Sequence, residues 1–278
     1  MVKQNNIGQK SSPRPDAQGP GILYGVGVGP GDPELLTLRA ERILKSVPVI
    51  LAAASPRNED SLALSIAAPH LPDGVETLRL DFPMTRDAAV LAAAWRENAE
   101  KTAAVLRSGR NAAFLTLGDP LIYSTFGYLM RGLQECMPQA RVEAVSGITS
   151  FQAAAARAKT VLCEGEENLL LISGINGRER LSRAMACSDC AVVLKAYKNM
   201  DQIRQALLQS GRTQDIIFAS KIGMQGEVLE RGFASIPDKP AYLSLLLAPP
   251  ERGGCASARD PAKGAQSLLN PSKGHDAT

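Results

Sequence analysis

The residues best placed to bind a ligand lie in three turns, each between an apolar run and a helical pattern. The first turn, Tyr24–Pro33, is rich in glycine, and the second, Leu115–Ser124, shares its Gly-Asp-Pro triplet. The third, Val145–Phe151, carries three hydroxyl side chains. Glycine lets a backbone turn sharply and approach a ligand, and a helix start offers unpaired N–H groups. Because ligands of open α/β sheets collect at the carboxyl ends of strands, the turns predict one cleft.

The spacing within the first turn argues against a phosphate-bearing ligand. The dinucleotide pattern G-x-G-x-x-G would require glycine at position 30 or 32, which hold Pro30 and Asp32. No Gly-Lys-Ser/Thr triplet follows to form a P-loop. The carboxylates of Asp32 and Asp119 could bind an ammonium group or ribose hydroxyls; the alternative is that each only caps a helix. A ligand with an adenine, a ribose and a zwitterionic amino acid suits these turns, and S-adenosylmethionine is such a molecule.

Other chemistry is not indicated. The pair Cys187 and Cys190 has the C-x-x-C spacing, but a structural zinc needs four ligands and no second pair stands at a suitable spacing. The two histidines, His70 and His275, are too few and too scattered to build a Ser/His/Asp arrangement. We therefore expect no metal site.

Composition sets the class of protein. Of 278 residues, 45% are apolar and 21% charged, as in globular proteins. The net charge of +3 comes from the two end segments, so a nucleic-acid partner is not expected. The five cysteines are an odd and sparse set, which argues against a disulfide framework and favours a cytoplasmic location. We expect neither a secretory signal nor a membrane span, because the start lacks an apolar segment and no apolar run approaches ~20 residues.

Predicted strands and helices, which must position the three turns, alternate along the body of the chain. Residues 1–20 and 249–278 are predicted to be disordered tails. Predicted strands cover residues 22–28, 47–53, 112–117, 141–145, 169–172, 191–194, 216–219, 228–231 and 242–247. Predicted helices cover 33–46, 86–108, 124–136, 178–186 and 201–210, with a short alanine-rich helix after Ser150. The alternation predicts an α/β fold with mainly parallel sheets, divided into domains of residues 21–147 and 148–248. In the 86–108 helix, Ala89, Ala93, Ala103 and Leu106 are expected to face inward.

Six stretches of the body carry a resemblance to a known family, the tetrapyrrole methylases. They are Leu23–Leu38, Phe82–Thr85, Ala113–Phe126, Ser146–Phe151, Val192–Lys195 and Tyr242–Leu247. Phe82–Thr85 and Tyr123–Phe126 are similar to one branch, which methylates the C(20) meso carbon of precorrin-2, or of its cobalt-containing form, in cobalamin biosynthesis.

The resemblance implies two α/β domains with S-adenosylmethionine in the cleft between them, and a homodimer. The positions that match the family's cofactor contacts are Pro30, Leu117, Gly118, Asp119, Ile122, Thr149, Ser150, Lys195, Ala219 and Tyr242. The implied reaction needs orientation of the two reactants and exclusion of water rather than a strong nucleophile. Asp119 and Tyr123 are candidates for handling the released proton.

The implied substrate carries many carboxylates, which arginine or lysine side chains should hold. Arg57, Arg86 and Lys221 are candidates for this role, or they belong to the solvated surface. Two other functions stay open. The chain could methylate another carbon of the macrocycle, or it could be a non-catalytic module that binds nucleotides. The sequence leaves open whether the substrate contains cobalt.

Overall fold

A computed structural model describes residues 19–54 and 61–250 of the chain. The first half contains the strands β1 (Ile22–Gly27), β2 (Val49–Ala54), β3 (Glu76–Asp81), β4 (Ala112–Thr116) and β5 (Arg141–Val145). Its helices are α1 (Leu38–Leu44), α2 (Leu62–Ala67), α3 (Ala88–Arg107), α4 (Phe126–Cys136) and α5 (Ser150–Arg157). The second half contains β6 (Leu169–Ser173), β7 (Cys190–Leu194), β8 (Ile217–Ser220), β9 (Val228–Arg231) and β10 (Ser244–Ala248), with α6 (Arg178–Ala186) and α7 (Met200–Gln209).

The first sheet is parallel, and its strands β2 and β4 are buried on both faces. Its strand order is β3-β2-β4-β1-β5, and every neighbouring pair is parallel. Leu51 and Phe114 face the side covered by α3 and α4, whereas Ile50 and Leu115 face the side covered by α1 and α2. Such two-sided burial explains why these strands consist of continuous apolar runs. The predicted α/β class is confirmed.

The second sheet differs from the expectation of a mainly parallel arrangement. Its order is β6-β7-β10-β8-β9, and only β6 and β7 pair in parallel. The pairs that β10 forms with β7 and β8, and the pair of β8 with β9, are antiparallel. The connections explain this difference. Two consecutive parallel strands need a connection of a dozen or more residues, usually an α-helix, and no α-helix follows β8 in the described chain.

Helix α5 packs against the second sheet rather than the first. Its buried residues Phe151 and Ala154 belong to the same apolar cluster as Val192, Ile217 and Leu245. The opposite face of that sheet is covered by α6 and α7. The last strand of the first sheet ends at Val145, just before the predicted domain boundary at residue 147, and that boundary stays a prediction.

Three local features differ from what the sequence predicts. The predicted helix 33–46 is interrupted, because Leu36 is extended and Thr37 caps a new helix by accepting from Ala40 N at 3.2 Å. Helix α2 and strand β3 are present where no element is predicted. Ala89 and Ala93 are exposed rather than inward, because α3 buries the face that carries Trp95, Thr102 and Leu106, and at about 3.6 residues per turn the two alanines lie away from that face.

The remaining predicted elements agree with the structure to within two residues at nearly every end. The predicted tails fall almost wholly outside the described residues. None of the helices in the described part of the chain combines the length and the apolar character that crossing a membrane requires.

Candidate functional site

The three predicted turns meet at the carboxyl edge of the first sheet. Gly118 N donates to Gly29 O at 2.8 Å, which forms a short antiparallel bridge between the first and second turns. The third turn packs against both, since a Cβ on Gly147 would lie 2.1 Å from Gly118 O and 2.8 Å from Gly27 Cα. No side chain fits there, so these glycines are required by a close approach of three backbones.

Asp119 ties the second turn to the third. One carboxylate oxygen accepts from Leu121 N at 2.9 Å and the other from Gly147 N at 3.1 Å. Asp32 in the first turn caps the following turn of 3₁₀ helix by accepting from Glu34 N at 3.0 Å. Asp32 therefore has the capping role that the sequence left as an alternative, whereas Asp119 caps no helix, because α4 begins only at Phe126.

Thr149 fixes the start of α5 through a capping box. Its hydroxyl accepts from Gln152 N at 3.4 Å, and the Gln152 side-chain oxygen accepts from Thr149 N at 3.0 Å. Thr149 is buried, while the next residue, Ser150, faces open space. The third turn thus holds the first turn of α5 at the edge where the other turns end.

That open space is a cavity of about 340 Å³ between the two sheets, within the range of small-molecule sites. It is bounded by the carboxyl ends of β2, β4, β7 and β8 and by the amino end of β10. The sequence-predicted residues that line it are Pro30, Leu117, Ile122, Tyr123, Ser150, Lys195, Lys221 and Tyr242. Residues of both halves of the chain are thereby brought together.

Other predicted site residues lie elsewhere. Gly118, Asp119 and Thr149 lie in the turns behind the lining, and Ala219 is fully buried within β8. Arg86 is exposed in the segment before α3 and does not line the cavity. Arg57 lies outside the described residues.

Several lining residues are not among those that the sequence predicts. They include Ala53, Ser61, Thr116, Ser124, Thr125, Tyr197, Met224 and Ser244. Tyr197 follows the end of β7 by three residues, so its position after a strand could have identified it. Ser61 precedes α2, an element without a predicted counterpart, and nothing in the local sequence signals its place.

The second-sheet side of the cavity carries tyrosines and lysines. The rings of Tyr197 and Tyr242 meet edge to face with centroids 4.8 Å apart. Burial, and to a smaller extent the neighbouring Tyr197, raises the pKa of the Tyr242 phenol. Lys195 Nζ lies 5.4 Å from the ring centroid of Tyr123, a cation–π contact between the two halves of the chain.

Three of the lining residues have left-handed backbone conformations. Tyr123, Lys195 and Lys221 have φ of 51°, 56° and 50°. Such angles are uncommon for residues with these side chains and are costly unless the surroundings hold them in place. No Asp, Glu or His is among the described residues that line the cavity. The cavity is therefore suited to holding and orienting reactants in an enclosed space rather than to acid–base chemistry by a carboxylate or imidazole.

The comparison with known families identifies the class of protein that has this fold and cleft. Residues 22–236 match the family Tetrapyrrole (Corrin/Porphyrin) Methylases, so the chain belongs to that family.

Relatives within the family are more specific. The chain is 35% identical over 231 residues to the cobalt-precorrin-2 C(20)-methyltransferase of Salmonella typhimurium, covering 82% of this chain and 95% of the relative. It is 32% identical over 239 residues to the precorrin-2 C(20)-methyltransferase of a Sinorhizobium species, covering 83% and 96%.

Solved structures share the fold. A cobalt precorrin-4 methyltransferase superposes with a TM-score of 0.65 at 20% identity, over 86% of this chain and 97% of the other. The uroporphyrin-III C-methyltransferase of Thermus thermophilus, solved in complex with S-adenosylhomocysteine, gives a TM-score of 0.57 at 24% identity, over 82% and 97%.

Proposed function

We propose that this chain transfers a methyl group from S-adenosylmethionine to the C(20) meso carbon of precorrin-2, or of its cobalt-containing form, in cobalamin biosynthesis. The observation that carries the proposal is a cavity built from the strand ends of both sheets in a chain whose relatives carry this activity in their names. Both the metal-free and the cobalt-containing substrate occur among those names, so the proposal includes both.

The cavity suits a donor without phosphate groups. Its first-sheet side presents Pro30, which has no N–H to offer a pyrophosphate, together with the apolar side chains of Leu117 and Ile122. Ser150 adds a hydroxyl on the same side. When bound, S-adenosylmethionine supplies an electrophilic methyl group on its sulfonium.

We assign the protein's own residues two roles. Pro30, Leu117, Ile122 and Ser150 line the cavity and would contact the donor, while Asp119 holds the turns that shape this side. Together they fix the donor relative to the macrocycle and exclude water, which is the main contribution to an orientation-controlled transfer.

Thr149 and Gly118 support that side from behind the lining, whereas Ala219 is buried within β8 of the second sheet and Tyr242 lies on the opposite side of the cavity. Of the two candidates for handling the proton, Tyr123 lies in the cavity wall, half exposed, and both oxygens of Asp119 already accept backbone hydrogen bonds. We therefore propose that the Tyr123 hydroxyl relays the proton released from the substrate carbon, accepting it while passing its own proton to solvent water.

The decisive experiment is anaerobic incubation of the purified protein with precorrin-2 and ¹³C-methyl S-adenosylmethionine. We expect one labelled methyl per macrocycle, located at C(20) by NMR. A label at another carbon would support the second hypothesis, methylation elsewhere on the ring. A parallel incubation with the cobalt-containing substrate measures which form reacts faster.

A binding experiment separates the enzyme from a nucleotide-binding module. Calorimetry should show binding of S-adenosylhomocysteine and no heat with ATP or NAD. Binding of ATP or NAD without S-adenosylhomocysteine would contradict the proposal.

We also propose that the protein is a cytoplasmic homodimer. The family resemblance supports the dimer, and the sparse cysteines support a reducing compartment. Light scattering on the eluting protein should give twice the chain mass of 29.5 kDa, and fractionation of cells should find the protein in the soluble fraction.

A further inference from the structure

Two lysines occupy equivalent positions in the second sheet. Lys195 directly follows β7 and Lys221 directly follows β8. Both strands are antiparallel to β10, which lies between them, so they run in the same direction and end at the same edge. With strands spaced by about 4.8 Å, the two lysine backbones are roughly 10 Å apart.

The backbone around both lysines is held by β10. Lys221 N donates to Leu243 O at 3.0 Å, and Ala196 N donates to Ser244 O at 2.9 Å. Both lysines have left-handed φ angles, which the flanking hydrogen bonds hold in place. The two side chains thus leave the sheet from fixed points on either side of the start of β10.

The charge of the cavity lining is one-sided. Among the described residues that line the cavity, Lys195 and Lys221 are the ones that carry a charge at neutral pH. No carboxylate in the described part of the chain forms an ion pair with either lysine. The rings of Tyr197 and Tyr242 line the same cavity. Aromatic rings in a cavity with two cations complement a flat macrocycle with carboxylates at its rim.

We infer that Lys195 and Lys221 form a two-point clamp for carboxylates of the tetrapyrrole, so that Lys195 binds substrate rather than the methyl donor. The macrocycle as ligand rests on the proposed function. In the structure Lys195 Nζ lies over the Tyr123 ring. A charge-assisted hydrogen bond to a carboxylate is stronger than an exposed cation–π contact, so substrate binding moves Lys195 off Tyr123.

The test measures binding without catalysis. Uroporphyrin, a flat macrocycle with eight carboxylates, is titrated into the full-length protein and its fluorescence is followed at several salt concentrations. We expect Lys195→Met and Lys221→Met each to weaken binding about tenfold and to reduce its salt dependence, as loss of a charged hydrogen bond would. The affinity for S-adenosylhomocysteine, measured by calorimetry, should stay within twofold of wild type.

The matched control is Lys159→Met, because Lys159 is also exposed with a left-handed φ of 51° but does not line the cavity. It should leave both affinities unchanged, and Lys195→Arg and Lys221→Arg should restore most of the porphyrin affinity. Circular dichroism verifies that each variant is folded.

Three results would overturn the clamp. They are no binding of uroporphyrin by wild type, equal weakening by the control, and loss of S-adenosylhomocysteine affinity in Lys195→Met with porphyrin affinity unchanged. Failure of the proposed function is a separate result, because it would appear as no methyl transfer to precorrin-2 whatever the porphyrin affinities are.

Discussion

The two edges that face each other across the cavity are built in different ways. The first-sheet edge consists of backbone fixed to backbone: the Gly29–Gly118 bridge, the tight approach of Gly147, and Asp119 joining two turns. The second-sheet edge consists of exposed lysine and half-exposed tyrosine side chains that leave a fixed strand end. Substitutions on the first edge should therefore change stability and donor binding together. Substitutions on the second edge should change substrate binding with little change in stability.

The largest effect is expected from Gly147→Ala. Its Cβ would lie 2.1 Å from Gly118 O, a backbone atom that cannot rotate away. We expect a loss of about 3 kcal/mol in the free energy of unfolding, measured by urea denaturation, together with loss of S-adenosylhomocysteine binding. Gly127→Ala is the control, because its nearest neighbour is a flexible arginine atom at 3.6 Å and alanine favours helix α4. It should gain roughly 0.5–1 kcal/mol. Equal stability of the two variants would contradict the tight junction.

A smaller loss is expected from Asp119→Asn. The amide keeps one acceptor oxygen and presents an NH₂ group to the other backbone N–H, so about 2 kcal/mol of unfolding free energy should be lost. Asp73→Asn, at an exposed carboxylate outside the three turns, should change stability by less than about 0.5 kcal/mol. If Asp119→Asn unfolds like wild type yet transfers no methyl group, Asp119 takes part in the chemistry and the first edge is more than a scaffold.

Removal of the Thr149 hydroxyl should cost about 1 kcal/mol of stability, because Thr149→Ala breaks the capping box at the start of α5. Thr149→Ser keeps the hydroxyl and should recover most of the loss. The same urea titration gives both values. A stable Thr149→Ala that no longer binds S-adenosylhomocysteine would instead make the hydroxyl a ligand contact.

The smallest effect is expected on the second edge, at Tyr242. Because burial raises the pKa of its phenol above the unfolded value, its contribution to stability is complete below the unfolded pKa and is lost as pH rises through the folded pKa. The ultraviolet titration curve of Tyr242→Phe should therefore lack a phenol that ionises at the alkaline end of the wild-type curve. The free energy of unfolding at neutral pH should change little. Loss of a phenol of ordinary pKa would show that the ring is open to water.

The sequence predicts the first edge well, because its signals are local. The glycines, the Gly-Asp-Pro triplets and the hydroxyls after β5 each lie between a strand and a helix, and a parallel sheet brings such turns together. Lys221 was a candidate on chemical grounds alone. The sequence could not show that Lys195 and Lys221 lie on either side of β10, because that depends on the antiparallel pairing of distant strands.

The errors have local physical causes as well. Strand β3 has only Leu80 buried, so its apolar alternation is weak and its existence depends on pairing with β2. The interruption of the predicted helix 33–46 depends on Thr37 capping a new helix, a choice that the apolar spacing of that segment conceals. The exposure of Ala89 and Ala93 depends on which face of α3 packs on the sheet, and alanine favours a helix on either face.

The central place of β10 has a consequence for synthesis of the chain. It is the last described strand, yet β7 and β8 both pair with it. While the ribosome is still translating, these two strands expose unpaired edges, which are prone to join with other chains. The second sheet can therefore close only after residues 244–248 have left the exit tunnel, and a nascent chain stalled before that point should need a chaperone to stay unaggregated.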